Sequence, residues 1–121
     1  MREILFRGKR TKTGEWVSGL IWHHTEKASL IYSDELDKHV WVHPETVGQF
    51  TGKTVKNGKV FDGDILKSID GIFLVRWDEE KSAFVMRFLE YPFETLYLEE
   101  MWDDAEIIGN IHDNPELLEN P

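Results

Sequence analysis

The stretch FRGKRTKTGEWVSGLI, residues 6–21, returns 44 places later as FTGKTVKNGKVFDGDI, residues 50–65. Phe6, Gly8, Lys9, Lys12, Gly14, Gly19 and Ile21 fall on Phe50, Gly52, Lys53, Lys56, Gly58, Gly63 and Ile65 without a gap. Seven identities in 16 positions exceed the roughly one expected between unrelated segments of average composition. The same offset carries Leu30, Asp34 and Glu35 onto Leu74, Asp78 and Glu79. A solenoid needs about three or more stacked repeats, so two copies predict a compact pair of related units.

Each copy has the local chemistry of short strands. WVSGLIW and VFDGDIL, SLIYSDE and FLVRWDE, HVWV and AFVM are rich in β-branched and aromatic residues and bounded by turn formers, which reads as a three-stranded meander. The Thr-Gly step of KTGEW and the Asn-Gly step of KNGKV supply the positive φ of a tight turn. Gly19 and Gly63 lie inside strand patterns, where glycine marks a bulge, a bend or a close backbone approach. Strands bent in this way curl into small SH3-like barrels or a meander closed on itself. Helical periodicity is confined to the last turn or two, where Asn114 can cap PELLEN with Pro115 at its first position. The predicted class is all-β, a tandem duplication of a small bent meander ending in a short helical turn.

ETVGQF, residues 45–50, and EIIGNI, residues 106–111, close the two copies at an offset of 61, so about 17 residues, 88–104, are inserted in the second. Copies at 6–49 and 50–111 within one compact domain of residues 1–121 are the predicted organisation. The insertion, FLEYPFETLYLEEMWDD, is predicted to add a hairpin turning at Pro92.

The 121 residues include no Cys, which excludes disulfides and thiolate chemistry and fits a reducing compartment. MREILFRGKR is charged where a secretory signal would be apolar, and no apolar run approaches about 18 residues, so a cytoplasmic location away from membranes is expected. Net charge is −9, yet Arg2, Arg7, Lys9, Arg10 and Lys12 form a basic arm opposed only by Glu3, and ten acids with no Lys or Arg follow Arg87. The overall sign disfavours nucleic-acid binding by the whole molecule, because that affinity comes mainly from cations set against phosphates.

MREILFRGKR with TGEWVSG, then PETVGQFTG, NGKVFDGDI and IIGNIHDNPELL, resemble the YopX family of phage and prophage proteins over essentially the full chain and in order. The resemblance implies a mainly β fold and a phage or prophage origin inside a bacterial host. It brings no catalytic residues with it.

Motifs for chemistry are weak. Asp62 and Asp64 flank Gly63 at a spacing that puts two carboxylates on one strand face, as a metal or an acid and base pair would need. The copy has Ser18 and Leu20 there, and an Asx-type turn at a strand start explains DGD better. His23, His24, His39 and His43 lack the fixed short spacing of a zinc motif, and His23 and His24 point to opposite faces of any strand. There is no G-x-S-x-G serine, P-loop or dinucleotide glycine pattern. The expectation is a protein that is not an enzyme and that needs no metal or cofactor.

Two binding classes remain. Five Trp, seven Phe and three Tyr favour a module for a protein partner or for self-association into a homo-oligomer, with Phe88, Tyr91, Phe93, Tyr97 and Trp102 of the insertion as the candidate face. The alternative is an accessory role on nucleic acid through Arg7, Lys9, Arg10, Lys12 and Trp16. A variant of the binding class uses the acidic carboxyl-terminal third as a nucleic-acid mimic that occupies a host protein.

Overall fold

The computed structural model describes residues 4–90 and 95–119. The chain divides into two compact units, Met1–Phe50 and Thr51–Pro121. It is mostly β, in two antiparallel sheets.

In the first unit, β1 (Phe6–Lys9), β2 (Trp16–His24), β3 (Ser29–Ser33) and β4 (Lys38–Val42) form a consecutive meander. The start of β5 (Gly48–Val55) adds to it by pairing with β1, Phe6 opposite Gln49. FRGK thus adds a strand to the predicted three. Period-two patterning decides what goes inside: in SLIYS, Ser29, Ile31 and Ser33 are buried while Leu30 and Tyr32 alternate outward. Ile31, Val40 and Val42 form the core, with Val17, Ile21 and Val47 packed against them. Two glycines let the strands approach. A Cβ on Gly8 would meet Val42 Cγ2 at 2.9 Å, and one on Gly19 would lie 1.8 Å from the Tyr32 carbonyl oxygen. Of the readings open for Gly19, close approach is the one observed.

The predicted barrel does not form. The end of β1 reaches β4 through a bridge between Arg10 and Val42, with Thr11 N–H donating to Trp41 O at 3.0 Å and His43 N–H to Lys9 O at 2.8 Å. Pro44 then opens a 3₁₀ turn, Pro44–Thr46, that leads from β4 to β5.

In the second unit the rest of β5 leads to β6 (Gly58–Phe61), and β7 (Asp64–Ser68), β8 (Gly71–Asp78), β9 (Ala83–Phe88), β10 (Thr95–Tyr97) and β11 (Glu106–Asn110) follow. The last five form an open sheet in the order β10-β9-β8-β7-β11, whereas β6 pairs with β5 in the other sheet. Where β2 is one strand, VFDGDIL is broken in two because Gly63 turns at φ +96°. Asp64, 1% exposed, accepts the Phe61 N–H at 2.8 Å across that turn. The closing strands also differ: β5 returns to β1, whereas β11 pairs with β7, Asn110 opposite Asp64.

Two hairpins match in detail. Ser33 opposite Lys38 and Asp78 opposite Ala83 each close a four-residue loop whose last residue is left-handed, Asp37 at φ 52° and Ser82 at φ 49°. These positions lie 45 apart, one more than the sequence offset of 44.

Residues of the inserted stretch extend the second sheet, with β10 antiparallel to β9, Leu96 opposite Met86; Pro92 lies outside the described residues. A 3₁₀ turn, Leu98–Glu100, then drives Leu98, Met101 and Ala105 into the core beside Phe73, Phe84, Met86 and Phe88. The predicted carboxyl-terminal turn is present as α1 (Glu116–Glu119), Leu117 N–H donating to Asn114 O. The Asn114 side chain reaches back to accept the Asn110 N–H at 3.2 Å and packs where a Cβ on Gly109 would be, 2.5 Å from its oxygen. That contact explains the glycine of IIGNIHDN.

Candidate binding face

The side chains that the first unit's core rejects gather on one outward face. Leu20 is opposite Tyr32, Tyr32 opposite His39, and Leu30 opposite Trp41, and directly opposed residues share a face. The β2–β3 register shifts between Ile21 and His23, which makes Trp22 the extra residue of a bulge and re-aims its side chain. Its ring meets His39 edge-on at 4.7 Å, and His39 meets Tyr32 at 5.0 Å. Leu20, Trp22 and Trp41 are 54%, 68% and 53% exposed, so the face is apolar and open to water.

Cations border it. A cavity of about 120 Å³ is lined by Arg10, Thr11, Lys12, Lys38, His39, Val40 and Trp41, with no acid among them. Backbone pairing builds it, since the Thr11–Trp41 hydrogen bond and the Arg10–Val42 bridge carry residues 10–12 to β4. The net charge is also unevenly divided. Residues 1–50 hold seven Lys or Arg and seven Asp or Glu, whereas residues 51–121 hold seven against sixteen. The first unit is therefore formally neutral, and the whole excess of −9 belongs to the second.

The predicted basic set is divided by this geometry. Arg10 and Lys12 line the cavity. Arg7 and Lys9 instead cover the Trp16 ring, their cationic groups 4.6 and 5.6 Å from its centroid, so that ring is engaged in cation–π contact within the protein. Of the predicted aromatic set, Phe88 is buried in the second unit's core and Trp102, partly buried, packs against it with rings 5.5 Å apart. Tyr97 is exposed, and Tyr91 and Phe93 lie outside the described residues.

Sequence reasoning passed over Leu20, Trp22, Lys38, His39 and Trp41 as one set. A signal existed: Trp41 sits between Val40 and Val42, and Leu20 and Trp22 flank Ile21, so alternation with core aliphatics turns them outward. Which of two alternating sets faces water is settled only by what packs on the other side.

Asp62, Asp64, His24 and His43 have structural partners. Asp62 is 3.1 Å from the Arg76 guanidinium and accepts the Trp77 N–H, while Asp64 binds the backbone of its own turn. His24 hydrogen-bonds Ser29, and His43 lies 3.7 Å from Glu45. Among the described residues no three His, Asp or Glu side chains gather as metal ligands, and no helix is long and apolar enough to cross a membrane.

The Tyr32 O–H donates to Asp37 Oδ1 at 2.5 Å. That bond, then burial and the nearby charges of Asp37 and Asp34, raises the phenol above its ordinary 10.0. A raised acid keeps its folded-state interaction below its unfolded value and loses it as pH climbs through the folded one, so this tie should hold at neutral pH and fail only above pH 10. NMR titration should place Tyr32 above 10, and Asp37→Asn should move it back down. An unchanged midpoint in that variant would mean that Asp37 does not hold the phenol.

A search of curated proteins returns no match. Residues 5–119 match a family model described as YopX protein. That match covers nearly the whole chain, which therefore belongs to the YopX family.

Proposed function

We propose that this YopX-family protein, of phage or prophage origin and acting in the cytoplasm of the bacterial host, is a non-enzymatic binding module that engages its partner through the outer face of the first unit. The observation that carries this reading is the adjacent exposure of Leu20, Trp22 and Trp41. Apolar groups clustered in water mark a surface that another molecule covers. The reading includes the duplication of an SH3-like unit, supported by the shared left-handed hairpin loops at Asp37 and Ser82. A homo-oligomer formed through this face is its self-association form, which a monomer at high micromolar concentration by light scattering would exclude.

The test is Trp22→Ala with Trp41→Ala. Both rings are more than half exposed, so stability should change by less than about 0.5 kcal/mol per site, while the partner retained by the parent from host lysate should be lost. Equal capture by the double variant would place binding elsewhere, with the exposed Tyr97 region next in line. Capture that persists at raised salt favours an apolar protein contact, because screening weakens a contact held by charge.

A further inference from the structure

We propose that the Arg10–Lys12–Lys38 cavity and the rings beside it form a site for single-stranded nucleic acid, with a phosphate in the cavity and neighbouring bases stacked on Trp41 and Trp22. This rests on the reading that the outer face is the binding surface. Three cationic residues, a threonine and a histidine line the cavity with no acidic residue among them, residue types suited to a phosphate anion. Trp41 belongs both to the cavity wall and to the exposed face, and His39 links the cavity to Trp22 at 4.7 Å. A ligand that fills both parts must combine anionic groups with flat rings at short intervals, as an unpaired strand does. Stacking on aromatic side chains while cations follow the backbone is the general mode of single-strand binding. A duplex keeps its bases stacked inside and could use only the cations. The molecule's net charge of −9 is a weak objection, because the first unit contributes none of it. Trp16 takes no part in stacking, since Arg7 already covers its ring.

The experiment is fluorescence anisotropy of the intact protein with labelled oligothymidylate and oligouridylate about 12 nucleotides long, within the roughly 4–16-nucleotide range of small single-strand binding folds. A duplex of equal length is the comparison. Saturable binding is expected, tighter for single strands than for duplex. Trp22→Ala with Trp41→Ala should weaken it about tenfold or more. Arg10→Ala, Lys12→Ala and Lys38→Ala together should reduce the slope of log affinity against log salt by about 0.7, the contribution of the one phosphate that the cavity holds. In the parent protein the indole N–H resonances of Trp22 and Trp41 should shift on titration, a readout that does not depend on any variant folding. No binding at low salt, duplex affinity equal to that for single strands, or indole resonances that stay still would each overturn the proposal. If the parent retains a host protein in a nuclease-resistant way that the double Trp variant loses, while no oligonucleotide binds, the nucleic-acid assignment fails and the binding-face reading stands. If the double variant retains everything the parent does, the binding-face reading fails as well.

Discussion

Phe73→Ala is expected to remove about 3–5 kcal/mol of stability from the second unit. Phe73 is fully buried and meets Phe88 at 5.6 Å and Trp102 at 5.8 Å, while Phe88 and Trp102 meet at 5.5 Å, so three rings form a closed triangle. Alanine would leave a ring-sized void between β8, β9 and the segment after the Leu98–Glu100 turn. It would also remove two aromatic contacts, one edge-on to Phe88 and one tilted against Trp102, such pairs being worth roughly 0.5–1.5 kcal/mol each beyond burial. Against a typical total of about 5–15 kcal/mol, a loss of that size brings the unit near its unfolding threshold. Urea denaturation followed by circular dichroism measures it, and a loss under about 1 kcal/mol would show that the triangle is not the centre of the core. The same geometry bears on the inserted stretch. Trp102, Leu98 and Met101 all pack on or in this core, so replacing residues 88–104 by a polar turn should expose it and unfold the unit.

Gly19→Ala should be the most damaging single-atom addition in the first unit. Its Cβ would sit 1.8 Å from the Tyr32 carbonyl oxygen and 2.8 Å from the carbonyl carbon. Both atoms are backbone, so no rotamer change relieves the clash, and β2 must separate from β3 beside the Leu20–Tyr32 pair. Overpacking of side chains costs about 1–3 kcal/mol, and a backbone clash should reach the top of that range or pass it. Gly14→Ala is the control. Gly14 has φ +75° with nothing within 4 Å, so alanine there bears only the left-handed backbone cost of roughly 1–2 kcal/mol. Thermal melts of the two variants should differ clearly, with Gly19→Ala lower. Equal melting temperatures would mean that the strands can part at Gly19 without consequence. Because the Leu20–Tyr32 and Tyr32–His39 pairs assemble the outer face, Gly19→Ala should also abolish binding there even if the unit remains partly folded.

Much of the fold was legible because it rests on local chemistry. The strands of SLIYS and HVWV, the turn of KNGKV and the helical turn after Asn114 depend on residues a few positions apart, and each formed where expected, although the Asn114 side chain bonds back to the Asn110 N–H and not to the helix it was expected to cap. Gly19 and Gly63 were marked as special by their place in strand patterns, but which device each represented was not. Gly19 permits two strands to touch, whereas Gly63 turns the chain, and the difference depends on what lies opposite. The tryptophans show the limit most clearly. Trp102 stands among acids, with Glu99 and Glu100 before it and Asp103 and Asp104 after, whereas Trp41 stands between two valines, yet the first packs on a core and the second stands in water.

From the sequence alone came the mainly β class, the positions of most strands, the left-handed turn glycines and the YopX resemblance, all carried by periodicity, turn chemistry and motif order along the chain. Only the tertiary structure decided that β5 returns to β1 while β11 returns to β7, that the end of β1 bridges to β4, and that Arg10 and Lys12 meet Lys38 and Trp41 about 30 residues away. Those outcomes depend on pairing between distant segments, and such pairing forms where it buries the most apolar surface while satisfying the backbone. No local window of residues contains that comparison, because the surface to be buried belongs to both partners at once.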